Sequence, residues 1–292
     1  MRLECSDVSA PAAKSQVTTE DEKAQVNGLD FLGLEPTEDP DRWRLPVSQG
    51  VLSGMGALFG GCGLAAAVEA MERTTGRPTV WATAQYLSFA RPPGVVDIEV
   101  VAMVTGRQTS QARAIGRVDD DEIFTVNAAL GTRADTMAGQ WAVRPEVPSP
   151  DVCPPRTAQD RHRGTLFDRL EMRRANARDL DDLPGEPGDG RSALWARIPG
   201  LDHSITTLAV LGDLVPFGIS QALGQRAGGN SLDNTIRVAR RVPTEWLLLD
   251  VRIHAVAHGF GHGLVHMWAE DGSLLATASQ SAIVRRWKEH PS

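Results

Sequence analysis

Asp213 lies in LGDLVPF and Gln280 in ATASQSAIVRR, two segments whose counterparts stand 151 residues earlier in the chain. LFGGCGLAAAVEA from Leu58 answers AVLGDLVPFGISQ from Ala209, and VDDDEIFTVNAA from Val118 answers AEDGSLLATASQ from Ala269. At the matching positions the earlier copy has Cys62 and Ala129, so only the later copy carries a carboxylate and an amide. A carboxylate can take a proton from water or orient it, and a primary amide offers two donors and an acceptor. Read alone, Asp213 is equally an acid that breaks a helix at Gly212 or caps a restart before Pro216, and Gln280 a polar residue at a strand edge.

Other groups stand in weaker patterns. His254, His258, His262 and His266 are spaced by four, which on a helix would align them as metal ligands. Glycines at 259, 261 and 263 point instead to a hairpin with two histidines on each arm. Neither a zinc-finger spacing nor HExxH is present, so no metal or other cofactor is expected. Cys5, Cys62 and Cys153 are odd in number, far apart and outside any metal-ligand spacing, which favours a reduced, cytoplasmic setting. Cys62, on a helix without a flanking base, reads as a packed small residue. The net charge of −7 argues against a nucleic-acid partner, although 27 of the 30 cationic residues are arginines and local basic patches can exist. No stretch approaches the roughly 20 uninterrupted apolar residues of a membrane span, and Arg2 is not followed by an apolar signal region.

The elements that must position these groups follow from pattern. Residues 1–27 have almost no large apolar side chains and read as a mobile tail. Short extended segments broken by Pro36, Pro40 and Pro46 run from Leu29 to Val47, and an apolar helix fits Gly54 to Glu72. Its Ala and Gly content requires close backbone approach, as when a sheet wraps a helix. Strand patterns cover Thr79–Phe89, Val95–Thr105, Gln111–Val118 and Ile123–Leu130. Five prolines mark residues 145–163 as a linker between domains at 28–144 and 164–292. The second domain opens with LFDRLEMRRA and ALWARI, places a helix from Ile205 capped by Asp202 or Ser204, and adds strands at Trp246–Val256, Gly263–Ala269 and Leu274–Val284. Helix first and antiparallel meander after, twice over, is an α+β arrangement with each sheet curled round one central helix.

Five stretches of this chain, LFGGCGLAAAVEA, YLSFARPPG, LAVLGDLVPFGI, NSLDNTIRVARRVPTEWLLLDV and DGSLLATASQSAIVRR, resemble the acyl-CoA thioesterase II type family. The resemblance covers most of residues 45–131 and 190–287 and implies a double hotdog, two tandem hotdog domains in one chain. It also implies hydrolysis of an acyl-CoA, or of an acyl carrier protein thioester, by activated water. The family's catalytic Asp, hydroxyl residue and Gln fall on Asp213, Ser231 and Gln280. Ser231 departs from the family's Thr and loses the methyl that restricts the rotamer, and Cys62 stands where the family has Gln after two glycines.

Under that resemblance Gly60 and Gly61 let substrate approach helix-start amides able to hold an oxyanion, with tight helix packing as their plain alternative. Thr235, on the face expected for Ser231 by period-two alternation, is a substitute hydroxyl. Arg237, with Arg240 and Arg241, could meet coenzyme A phosphates or simply form a solvated edge. The competing readings are a non-catalytic acyl-CoA-binding scaffold and a hotdog enoyl-CoA hydratase. Val215 and Gly218 stand where the hydratase pattern needs Asn and His. A homo-oligomer is compatible with the sequence, since hotdog domains pair through sheet edges.

Overall fold

The structure, a computed structural model, describes residues 26–134, 137–157, 159–201 and 203–287. The expected tail up to residue 25 and the candidate cap Asp202 lie outside them. Val26 and Asn27 are bound to the body: Val26 N–H donates to the Gly200 carbonyl at 2.8 Å, and the Asn27 side chain accepts from Asp30 N–H to cap α1 (Gly28–Leu32). This turn of helix replaces the start of the extended run expected from Leu29. Its Asn cap and left-handed Gly33, at φ 68°, bound it, and buried Phe31 and Leu32 hold it down.

The first half continues with β1 (Glu35–Pro36), β2 (Arg42–Pro46), α2 (Gly60–Thr75), β3 (Thr79–Tyr86), β4 (Val95–Thr105), β5 (Thr109–Val118) and β6 (Asp121–Gly131). The second half has β7 (Glu171–Asn176), β8 (Arg191–Arg197), α3 (Ile205–Leu211), α4 (Val215–Leu223), β9 (Ala227–Val238), β10 (Leu247–Ala257), β11 (Phe260–Ala269) and β12 (Leu274–Arg286). Shifting the first half by 151 residues carries β2 onto β8 and β3–β6 onto β9–β12 to within four residues at either end. All twelve strands form one sheet in the order β1-β2-β4-β5-β6-β3-β9-β12-β11-β10-β8-β7, which reads as the same order twice about its centre. β3 and β9 meet there antiparallel, with Thr83 opposite Thr235 and Ala84 opposite Asn234. The 151-residue shift exchanges those two pairs, so a pseudo-twofold axis passes between them. The fold is a double hotdog.

Each half supplies its helix to one shared core that contains residues of both. Residues 61–71 of α2 are buried without interruption, and the small run Ala65, Ala66 and Ala67 lets the curled sheet close on it. α2 begins at Gly60 rather than Gly54, because Ser53–Phe59 is spent on a turn in which Ser53 N–H reaches the Ala57 carbonyl and Phe59 N–H the Val51 carbonyl. The central helix of the second half is broken: α3 stops at Leu211 and α4 restarts at Val215. Ser204 stands at the N-cap of α3 without a side-chain capping bond. Thr206 Oγ1 donates to Glu69 Oε1 at 2.6 Å and ties α3 to α2 inside the core. The segment Ile205–Leu223 has a mean hydropathy of 1.3 but is 83% buried within the protein, as the core helix of a curled sheet must be.

The proline-rich segment does more than connect. Ala142, Val147 and Cys153 pack on Trp195, Trp246 and Trp268 of the second half, and Trp195 Nε1 donates to the Pro148 carbonyl at 2.9 Å. Two 3-10 turns, Pro150–Val152 and Asp160–His162, lie within the segment. The histidine-rich segment is the β10–β11 hairpin, but His258 sits in its turn with φ 51°, leaving only His254 on the first arm.

Candidate active site

Asp213 occupies the break between α3 and α4, and its carboxylate does not cap α4, whose N-cap is Leu214. It crosses to the first half instead: Asp213 Oδ2 accepts the Gly61 N–H at 2.6 Å. Gly61 is the second residue of α2, so its amide has no acceptor within its own helix, and the positive end of that helix faces the carboxylate. The other oxygen, Oδ1, accepts from Gln280 Nε2 and from Ser231 Oγ at 3.3 Å. Gln280 Nε2 also donates to Ser231 Oγ at 2.5 Å. Asp213, Ser231 and Gln280 are thus brought into one network, with Asp213 and Gln280 each 2% exposed.

The two glycines make this closeness possible. A Cβ on Gly61 would stand 2.9 Å from both the Ala209 carbonyl and Asp213 Cβ; one on Gly60 would stand 2.8 Å from Asp213 Oδ2 and 3.1 Å from Tyr86 Oη. Gly61 therefore serves the packing of α2 on α3, whereas any side chain at Gly60 would crowd Asp213 Oδ2 and Tyr86 Oη. Burial pushes the Asp213 carboxyl up from 3.8 to about 7, against the pull of the Gly61 amide, Gln280 and Ser231, with the Asp233 charge adding to the rise. Desolvation outweighs three hydrogen bonds here, so the acid titrates near neutrality. Tyr86, the only tyrosine of the chain, has a buried hydroxyl with no partner among the described residues, and burial with the charges of Asp213, Asp233 and Cys62 keeps it protonated.

A cavity of about 210 Å³ reaches this network. Asp213, Ser231, Gly60 and Tyr86 line it, and Phe59, Phe124, Leu194 and Phe217 make apolar walls. Gln280 does not line it and reaches Asp213 from behind. Exposed Met55 and Phe89, at 52% and 55%, stand at the rim. Arg156, Arg161, His162, Arg285 and Trp287 also line the cavity, and three of these five belong to the segment expected to be linker. His162 stacks on Phe167 with ring centroids 4.3 Å apart, and burial together with Arg156 and Arg161 pushes its pKa down to about 4, so it is neutral at pH 7.

Two candidates from sequence stand elsewhere. Thr235 does not reach Asp213: its Oγ1 bonds Thr83 Oγ1 at 2.7 Å across the central seam. The alternation that grouped it with Ser231 fails because the β9–β12 register slips there: Ser281 faces Asp233 and Ala282 faces Ser231, leaving Leu232 as an extra residue. Arg237 is exposed six residues along β9 from Ser231, about 20 Å at strand rise, and does not line the cavity. Arg241 is paired with Glu72 at 2.7 Å. Cys62 is fully buried and its thiol is pushed far up by desolvation, consistent with a packing role. Among the described residues no group of three or more His, Cys, Asp or Glu side chains is arranged to hold a metal.

The comparisons with known proteins agree with this architecture. The family model of the acyl-CoA thioesterase N-terminal domain matches residues 50–131, and that of the C-terminal domain residues 150–284. A candidate thioesterase from Novosphingobium aromaticivorans is 34% identical, with a TM-score of 0.76 over 85% of this chain and 97% of that one. At 22% identity the likeness extends, as fold, to a hot dog protein of unknown function from Alicyclobacillus acidocaldarius, with a TM-score of 0.77 over 90% of this chain and 98% of that one. The same identity and a TM-score of 0.69 relate it to the acyl-CoA thioesterase II TesB2 of Mycobacterium marinum, over 89% of this chain and 98% of that one. No curated protein matches the sequence. The chain belongs to the acyl-CoA thioesterase family.

Proposed function

We propose that the protein hydrolyses an acyl-CoA to a carboxylic acid and free coenzyme A, with Asp213 as general base. The observation that carries this reading is a buried carboxylate that lines a cavity with apolar walls, fixed by Gly61, Gln280 and Ser231, its pKa pushed up to about 7 by burial. Asp213 takes a proton as water oxygen bonds the thioester carbonyl carbon. The electron pair moves to the carbonyl oxygen, which meets the Gly60 N–H, a first-turn amide without an intrahelical acceptor, and the Tyr86 O–H. Collapse breaks the carbon–sulfur bond, and the proton held by Asp213 passes to the leaving thiolate. Ser231 and Gln280 orient the carboxylate, and Gln280 acts through it as a positioning residue. A reduced, cytoplasmic setting belongs to the same reading and suits the free, buried Cys62 and Cys153.

The test is release of free thiol from a panel of acyl-CoAs differing in chain length. Turnover on at least one member, saturable and proportional to enzyme, is expected. Saturable acyl-CoA binding without any thiol release would replace this reading by that of a binding scaffold.

A further inference from the structure

The cations that line the cavity are held in an unusual way. Arg161 lays its guanidinium over the Trp287 ring, 3.6 Å from the centroid. Arg156 stands 5.9 Å from the Phe167 centroid and 5.7 Å from that of Phe217. Neither they nor Arg285 enters an ion pair among the described residues, whereas Arg163, Arg174 and Arg197 nearby in sequence are paired with carboxylates. A guanidinium stacked by its face, as Arg161 is on Trp287, keeps its in-plane N–H donors free. Trp287 is itself backed by bare backbone, since a Cβ on Gly228 would meet its ring at 3.1 Å. Burial first, and the neighbouring Arg161 charge second, lower the pKa of Arg156 to about 10 against the opposing charge of Asp179. In a chain of net charge −7, three arginines that line one cavity without ion pairs among the described residues suit a multiply charged anion.

From this arrangement we infer that Arg156, Arg161 and Arg285 form the subsite for the phosphates of the nucleotide half of coenzyme A, with Trp287 as the residue that positions Arg161. The inference rests on the thioesterase reading for the substrate in the cavity, and it moves phosphate recognition from β9, where Arg237 stands, to the interdomain segment and the end of β12. It also selects the carrier: a thioester on coenzyme A presents three phosphoryl groups, and one on a phosphopantetheine arm a single one.

The test uses the full chain and two readouts. Isothermal titration with free coenzyme A is expected to give an affinity that falls on the order of 10- to 100-fold in Arg161→Gln and in Arg285→Gln, and more in the double variant. Wild-type affinity in the double variant would overturn the site. Phosphopantetheine, titrated in parallel, is expected to bind weakly and to respond little; an equal loss for it would overturn the assignment to the nucleotide half. In turnover, the preference for acyl-CoA over the acyl N-acetylcysteamine thioester should shrink by the same factor, through KM rather than kcat. Should the wild type hydrolyse neither thioester, the thioesterase reading fails, and the coenzyme A titrations still decide the arginine site. Trp287→Leu, which keeps every charge, should reproduce part of the Arg161 loss.

Discussion

At the scale of single residues, the proposed chemistry depends on one acid whose pKa burial pushes up to about 7. Asp213 must be ionised to take a proton, so kcat/KM for an acyl-CoA is expected to rise with pH and level above about 7, the value to which burial pushes it. A profile flat from pH 5 to 9 would contradict this. The same shift has a consequence for stability. Because the folded value lies above the ordinary 3.8, the folded chain binds more protons between the two. Stability from this group is therefore lost as pH rises through that window and is lowest above it. Asp213→Asn removes the buried charge, and a flipped Gln280 amide can present its Oε1, which has no partner among the described residues, to the new amide. The melting temperature of Asp213→Asn relative to the wild type should therefore increase between pH 5 and pH 8. An opposite trend in scanning calorimetry would show that the hydrogen bonds, not desolvation, dominate.

At the scale of elements, the site depends on two helices approaching without side chains between them. Gly61→Ala would press Cβ against the backbone carbonyl of Ala209 and against Asp213; overpacking of this kind costs about 1–3 kcal/mol. Denaturant unfolding should register that loss together with a fall in kcat, since the carboxylate is displaced. Thr235→Val makes the contrasting case. It breaks the Thr83–Thr235 bond at the seam, for which about 1 kcal/mol of stability is expected, with kcat retained because Thr235 lies outside the Asp213 network. A collapse of kcat would return Thr235 to the site. These elements also mark where sequence was legible. Val95–Thr105 read directly as a strand from its Val/Ile run, and the 151-residue offset carried β5 onto β11 without remainder. The slip at Leu232 was not readable, because a bulge is fixed by the partner strand and not by the bulged residue. The Gly61–Asp213 bond was hidden for a related reason: both residues were marked, but nothing local joins the start of one helix to a break in another. Arg156 and Arg161 were missed as cavity-lining residues because prolines around them signalled only the absence of a ladder.

At the scale of the whole molecule, a fold repeated twice carries the carboxylate and amide of the proposed site in its second copy alone. The pseudo-twofold axis places Cys62 and Ala129 where Asp213 and Gln280 stand in the other copy, so the second position has neither base nor amide. The proposed site draws Gly60, Gly61 and Tyr86 from the first half and Asp213, Ser231 and Gln280 from the second, across the β3–β9 seam. Expressed separately, residues 28–144 and 164–292 should each be inactive toward acyl-CoA, and hydrolysis by either alone would deny a shared site. The central claim, that Asp213 is the base of this single site, is tested most directly by the turnover of Asp213→Asn on the acyl-CoA that the wild type prefers. A loss of about 100- to 10,000-fold in kcat, with fold and acyl-CoA affinity retained, is the expected result. Turnover at the wild-type rate would contradict it.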